Sequence, residues 1–128
     1  MAMHNFEELE VWKRSSRLAV SILGAVDSIK LFSLRDQMAR ACTSIPSNIA
    51  EGAERDSNKE FRRFLAIAKG SAGELRTQLY LAQKSGHLAD DLVTPLVSEC
   101  REISSMLEGL RKSLKGGGML GLFFSWLF

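Results

Sequence analysis

Basic side chains recur at a regular interval through the middle of the chain, a pattern that suits the phosphates of a nucleic acid. Arginine or lysine occupies every seventh position from 55 to 76 and one adjacent position. This basic stripe consists of Arg55, Arg62, Arg63, Lys69 and Arg76. Seven residues are close to two turns of an α-helix, so these side chains are expected to share a face. Such a face can follow a phosphate backbone without reading bases, and few aromatic residues are present to stack on them.

Acidic residues interrupt the basic stripe and favour a second interpretation of it. Glu54, Glu60 and Glu74 lie among the cations and can neutralise part of the charge. The 128 residues include 17 lysines and arginines and 15 aspartates and glutamates, which gives a net charge of +2. In a single chain the stripe is therefore read as a solvated face. Assembly of several copies would strengthen a modest phosphate-binding patch through avidity.

A second set of polar residues falls in or beside apolar helix positions. This polar group consists of Asn48, Glu51, Ser71 and Glu74. A buried carboxylate is costly unless it is paired, and Arg40 and Arg76 are the candidate partners. One interpretation is a ligand pocket; the favoured one is a polar network that sets helix register or a subunit contact. Gly52, Gly70 and Gly73 support it, since close helix approach would compensate for their cost in helix stability.

Residues with catalytic or metal-binding chemistry are isolated in this sequence. His4 and His87 have no nucleophile or carboxylate constellation around them. Cys42 and Cys100 lack metal-ligand or redox spacing and lie on apolar helix faces, as expected for buried thiols in a reducing cytoplasm. The glycine triplet at 116–118 has no following lysine, so it is not a phosphate loop. We expect a protein without enzymatic activity, cofactor or metal.

The helices that position these residues can be predicted from apolar residues at intervals of three and four. No segment competes as a strand. With short connections, the pattern predicts an all-α, antiparallel up-down-up-down four-helix bundle. The expected helices span about residues 6–29, 34–54, 57–86 and 91–115.

Individual residues predict how these helices begin and bend. Ser33 is expected to cap the second helix. Pro46 is expected to kink it, with a complete break as the alternative. Ser57 and Glu60 have the spacing of a capping box for the third helix. Pro95 is expected in the first turn of the fourth helix, where a missing N–H costs little.

Three segments of the predicted bundle carry a family resemblance. They read FEELEVW at 6–12, SIPSNIAEG at 44–52 and EFRRFLAIAKGSAGEL at 60–75. Together they resemble the bacterial four-helix-bundle proteins encoded in intervening sequences of large-subunit ribosomal RNA genes, over about residues 6–115. The resemblance implies a ring-like homopentamer. Related proteins of this fold are accessory factors that bind the reverse transcriptase of diversity-generating retroelements and nucleic acid.

The composition changes abruptly at the carboxyl end. Gly116–Gly118 predicts a flexible hinge, and the uncharged segment 119–128 follows it. Its anchor residues would be Leu122, Phe123, Phe124, Trp126, Leu127 and Phe128. Three interpretations are open: an interfacial membrane anchor, a segment that folds into an apolar groove of a subunit or partner, and an appended peptide. Ten residues are too few to span a bilayer.

These features together predict a bundle over residues 1–115, assembled as a homopentamer, followed by the hinge and tail at 116–128. The leading function is a non-enzymatic cytoplasmic scaffold or accessory protein that contacts nucleic acid phosphates, with RNA preferred to DNA. One alternative is a protein-interaction adaptor, such as a reverse-transcriptase accessory subunit. The second alternative is a membrane-surface ring anchored by the tail.

Overall fold

Four α-helices account for most of residues 5–115, the part of the chain that the computed structural model describes. A single turn of 3-10 helix, Phe6–Glu8, precedes them. The helices are α1 (Glu10–Val26), α2 (Phe32–Ala53), α3 (Asn58–Lys84) and α4 (Asp90–Ser113). The predicted all-α fold with four helices is confirmed. His4 and the tail with its anchor residues lie outside the described residues.

The helices form a bundle in which each helix packs against two others. Helices α1 and α3 both pack against α2 and α4, whereas the two diagonal pairs have no Cα atoms within 8 Å of each other in the described residues. Connections of four or five residues join consecutive helices. Contacts between α3 and α4 pair Lys69 with Glu108 and Tyr80 with Arg101, so residue numbers rise along one helix as they fall along the other. These two helices are therefore antiparallel.

The core lies along the axis between the four helices and consists mainly of branched aliphatic side chains. Each such side chain contributes about 1.5–3 kcal/mol when it is fully buried. The largest fully buried residues are Leu9, Ile22, Ile29, Met38, Ile45, Ile49, Leu65, Leu75, Leu79, Ile103, Leu107 and Leu110. Ile45 and Ile49 in α2, Leu75 and Leu79 in α3, and Ile103, Leu107 and Leu110 in α4 have the three- and four-residue spacing on which the helix prediction rests.

The amino-terminal boundaries differ from the predicted ones. The first helix was expected from residue 6, but Leu9 has an extended backbone and separates the 3-10 turn from α1. Its side chain is fully buried and belongs to the hydrophobic core. Helix α2 begins at Phe32 with Leu31 at the cap position, so the predicted Ser33 cap is wrong. Arg35 stacks on the Phe32 ring at 4.7 Å, a contact that helical spacing of three residues allows.

The two prolines are accommodated inside helices. Helix α2 runs without a break through Pro46, which excludes the alternative of two separate helices. Helix α4 begins at Asp90, one residue earlier than expected. Pro95 therefore lies in the second turn, and the prediction of a first-turn proline is wrong. Pro95 is exposed, so water can reach the backbone carbonyl that its missing N–H leaves free.

The capping signal predicted at the start of α3 is confirmed in part. The Ser57 hydroxyl accepts a hydrogen bond from the backbone N–H of Glu60 at 3.1 Å. The carboxylate of Glu60 contacts Arg63 at 3.4 Å, so no reciprocal capping bond with Ser57 is observed. At the other end, Gly86 has a φ of 80°, the left-handed conformation that favours glycine after a helix.

Candidate nucleic-acid interface

The fold divides the predicted basic stripe into two sets. Arg62, Lys69 and Arg76 lie along the side of α3 that faces α4, since Lys69 and Arg76 share a groove with α4 residues. Arg55, in the turn before α3, and Arg63 cover Phe64, with their guanidinium carbons 4.9 and 4.6 Å from the ring centroid. Only the first set is therefore arranged along one line.

The two arginines over Phe64 are also held by acidic neighbours. Arg55 is 3.0 Å from the Glu51 carboxylate, and Arg63 is 3.4 Å from that of Glu60. Phe64 retains 6% exposure beneath the two guanidinium groups. These arginines therefore complete the α2–α3 surface, and a phosphate would have to compete with the ion pairs that hold them.

The remaining cations line an open groove between α3 and α4. The groove encloses about 500 Å³, and its lining includes small residues of both helices. Its lining residues are Ala66, Lys69, Gly70, Gly73, Arg76, Ser104, Glu108 and Arg111. We call this surface the α3–α4 groove.

A smaller hollow continues the groove toward the start of α3. It encloses about 230 Å³ and shares Ala66 and Arg111 with the α3–α4 groove. Its other lining residues are Lys59, Glu60, Arg62 and Arg63. Six cationic side chains and two carboxylates line the groove and hollow together, which leaves an excess of four positive charges.

One carboxylate, that of Glu108, is bound inside the groove. It lies 3.1 Å from the Lys69 amine and 3.2 Å from the Arg111 guanidinium. Hydrogen bonds from Arg111 and Lys69 lower the pKa of Glu108 to about 2. The carboxylate is therefore ionised at neutral pH, and it neutralises part of the positive charge of the groove.

Within residues 5–115, two arginines of the groove and hollow have no acidic partner. Arg76 is half-buried and forms neither an ion pair nor a hydrogen bond within residues 5–115. The Nε atom of Arg62 is buried and also has no acceptor in the described chain. A guanidinium group without an acceptor favours binding of an anion, because each N–H that finds one gains a charge-assisted hydrogen bond.

The structure brings together only half of the predicted polar group. The Ser71 and Ser44 hydroxyls are 2.9 Å apart across α2 and α3. The Asn48 amide donates to the Ser44 carbonyl at 2.8 Å and to the Ser44 hydroxyl at 2.9 Å. Ser44, which connects the other two, was missed by the sequence analysis. The sequence feature that could have identified Ser44 is its position one helical turn before Asn48.

Glu51 and Glu74 lie outside this cluster. Both are exposed, which corrects their interpretation as part of a polar core, since ionised carboxylates are more stable in water. Glu51 pairs with Arg55 instead of the expected Arg40 or Arg76. A subunit contact through Glu51 and Glu74 stays a prediction.

The three helix glycines have different surroundings. A Cβ atom on Gly52 would lie 2.6 Å from the Phe64 Cβ, so the predicted close helix approach is confirmed there. A Cβ atom on Gly70 or Gly73 would have no atom within 4 Å in the described chain. Internal packing therefore does not explain the two glycines, which lie on the wall of the α3–α4 groove.

A family model for the 23S rRNA-intervening sequence protein matches residues 7–109, which include all of α1, α2 and α3. The chain belongs to this family. The expected family resemblance is thus confirmed, and most of the α3–α4 groove of this intervening sequence protein lies within the matched range.

The solved structure of another protein has a similar fold. It is a protein of unknown function from the S23 ribosomal protein family of Bacteroides thetaiotaomicron, with a TM-score of 0.77 and 26% sequence identity. The match covers 80% of this chain and 98% of that one. No curated protein matches this intervening sequence protein.

The cysteines of this intervening sequence protein lie in its core. Burial raises the pKa of the Cys42 thiol to about 11 and that of Cys100 to about 12. The two thiols lie on α2 and α4, which have no Cα atoms within 8 Å of each other, so they are too far apart for a disulfide. Within residues 5–115, no cluster of three His, Cys, Asp or Glu residues could hold a metal ion.

One further observation concerns membranes. Among the helices between residues 5 and 115, none combines the length and apolar character needed to cross a lipid bilayer.

Proposed function

We propose that this intervening sequence protein is a non-enzymatic cytoplasmic accessory protein that associates with RNA through phosphate contacts. The excess of four positive charges along the α3–α4 groove and the hollow carries this proposal. Guanidinium groups bind phosphate oxygens through paired N–H donors, and Arg62 and Arg76 lack an acidic partner in residues 5–115. The family description, which refers to an intervening sequence of 23S rRNA, supports RNA as the first ligand to test.

The proposed contacts are independent of base sequence. Arg62, Lys69 and Arg76 are seven residues apart, so they are spaced by about 10 Å along α3. Such a row can contact successive parts of a phosphate backbone. Tyr80 is the only aromatic residue in the second half of α3, and it is not among the residues that line the α3–α4 groove. We therefore expect recognition of backbone and shape.

We also propose that the protein assembles as a homopentamer; the number of subunits follows from the resemblance. Ile67 and Leu81 are 41% and 55% exposed on α3, and Glu74 lies midway between them. Ile67, Glu74 and Leu81 form a line along α3. It is rotated by about 140° around the helix from the line of the three groove and hollow cations, Arg62, Lys69 and Arg76. A subunit contact there would leave the α3–α4 groove open in every copy, and avidity would multiply the affinity for RNA.

Binding of the full-length protein to an unstructured RNA oligonucleotide across a salt series tests the RNA proposal. Affinity should fall steeply with salt, with a logarithmic slope of about 0.7 for each phosphate contacted. Combined Arg62→Glu and Arg76→Glu substitutions should weaken binding at least about tenfold, because each reversal replaces attraction with repulsion. Duplex RNA and duplex DNA in parallel determine the preferred nucleic acid.

The matched control reverses two exposed charges on α1, Lys13→Glu together with Arg17→Glu. It changes the net charge by the same amount at a distance from the groove. An equal loss in the control would show that only the net charge matters. Absence of binding by the unmodified protein at low salt would refute the proposal.

A protein-interaction adaptor, such as a subunit accessory to a reverse transcriptase, is the second candidate. Val20 and Leu23 on α1 are 71% and 44% exposed and present apolar surface away from the core. Co-purification with the reverse transcriptase that survives nuclease and is lost in Val20→Glu would favour this candidate. If the complex is retained in Val20→Glu but is lost after nuclease treatment, the RNA-binding candidate is favoured.

A further inference from the structure

We propose that the Glu108 carboxylate occupies a phosphate position in the α3–α4 groove and is displaced when the groove binds a polyanion. Glu108 would then set the affinity of the groove. The inference rests on the proposed function, because it concerns the same surface and names Glu108 as the group that competes with the ligand there. The ligand chemistry is a chain of phosphate groups, as in an RNA backbone or an inorganic polyphosphate.

The geometry around Glu108 is that of an occupied anion site. Its carboxylate accepts hydrogen bonds from Lys69 on one helix and from Arg111 one turn along its own helix. Both donors also suit a phosphate oxygen, which carries comparable charge and accepts the same N–H groups. A phosphate at this position would meet the negative charge of Glu108, so the two anions cannot share the cations without repulsion.

Glu108 has room to leave the site. Its side chain is 25% exposed, and the side chains of Lys69 and Arg111 are 43% and 32% exposed. All three therefore reach solvent, and rotation of the carboxylate toward water does not create a buried charge. Since the pKa of Glu108 is about 2, protonation does not release it near neutral pH. A competing anion is the remaining means of displacement.

The glycines on the groove wall support the approach of a ligand to the α3 backbone. Gly70 and Gly73 each lower helix stability by about 1 kcal/mol relative to alanine. Space for a Cβ atom is open at both positions within the described chain. The absence of side chains there leaves the groove accessible beside Lys69 and Arg76.

The decisive experiment compares Glu108→Gln with Glu102→Gln in the full-length protein. Both substitutions remove one negative charge from α4, but Glu102 lies beside Arg14 rather than in the groove. The probes are an unstructured RNA oligonucleotide and inorganic tripolyphosphate. We expect Glu108→Gln to tighten binding of both probes about fivefold, while Glu102→Gln changes it by less than about twofold.

A second variant tests the groove without changing charge. Gly73→Leu adds bulk where a ligand would lie, and the open space around Gly73 lets the bundle accommodate it. We expect it to weaken binding of both probes to the Glu108→Gln protein. Melting curves identify any variant that fails to fold. The other variant then still tests the inference.

The outcomes separate this inference from the proposed function. If RNA binds but Glu108→Gln has no larger effect than Glu102→Gln, the displacement model is wrong and RNA association stands. If tripolyphosphate binds more tightly to Glu108→Gln while RNA binds no variant, the anion site stands and the proposed function falls. If neither probe binds any variant, both are refuted.

Discussion

Among single residues, the cations of the basic stripe differ in their availability to a ligand, although four of the five recur at intervals of seven residues. Lys69 contacts Glu108, whereas Arg76, seven residues later, has no acidic partner in residues 5–115. Arg55 and Arg63 stack on Phe64. A residue's value for phosphate binding therefore depends on its neighbours in space, and Arg62 and Arg76 are the most informative residues to substitute.

The pH dependence of stability tests the role of Glu108 in the fold. Its pKa of about 2 is below the ordinary value of 4.5, so the ionised carboxylate stabilises the folded state. This stabilisation is complete above about pH 5 and is lost as the pH falls through 4.5 toward 2. Glu108→Gln should therefore lower the free energy of unfolding near pH 7, by at most about 1 kcal/mol for a partly exposed ion pair.

Urea denaturation of the wild-type protein and of Glu108→Gln between pH 7 and pH 2 measures this difference. The two curves should approach each other toward pH 2, because Glu108 is then half-protonated in the folded state and most of its stabilisation has been lost. A difference that persists or grows at pH 2 would contradict the ion-pair explanation and indicate a packing defect of the glutamine.

Among the secondary-structure elements, the crossing of α2 and α3 depends on a single small residue. Gly52 lies against Phe61 and Phe64, and the polar contact between Ser44 and Ser71 lies further along the same pair of helices. Close approach at one end and hydrogen bonding further along determine how the two helices are aligned. The α3–α4 groove uses the opposite side of α3.

Substitution of the three glycines by alanine separates their roles. Gly52→Ala should lower the free energy of unfolding by about 1–3 kcal/mol, because its Cβ would overlap the Phe64 Cβ at 2.6 Å. Gly70→Ala and Gly73→Ala, as matched controls, should raise it by about 0.5–1 kcal/mol each through helix propensity. Thermal and urea denaturation provide the measurement. Destabilisation at Gly70 or Gly73 would reveal a close contact, such as a neighbouring subunit.

Across the bundle, α1 is joined to α4 by a bidentate ion pair. The Arg14 guanidinium contacts both Glu99 carboxylate oxygens, at 2.6 and 2.9 Å, and this hydrogen bonding raises the pKa of Arg14. Arg14 is thus held by this ion pair between α1 and α4. The cations of the groove and hollow lie on the α3–α4 side of the molecule.

For the whole molecule, the proposed pentamer predicts a mass in solution five times the 14.2 kDa of the chain. Light scattering coupled to size exclusion measures it. Ile67→Glu combined with Leu81→Glu should dissociate the assembly while the circular dichroism of the helices is retained, because both side chains are exposed in one chain. Val20→Glu on α1 is the control. A monomeric wild-type protein, or equal dissociation by the control, would refute the proposed subunit contact.

The sequence by itself determined the four helices, the apolar residues at their centres and the cap at Ser57, because helical periodicity and capping act over one or two turns. Tertiary structure decided which polar side chains meet. Glu108 and Arg111 reach Lys69 only through the alignment of α4 against α3, and Glu51 and Glu74 point to solvent because of how α2 and α3 are rotated. Packing of the whole core sets both the alignment and the rotation, since a shift of one helix changes the burial of its entire apolar face.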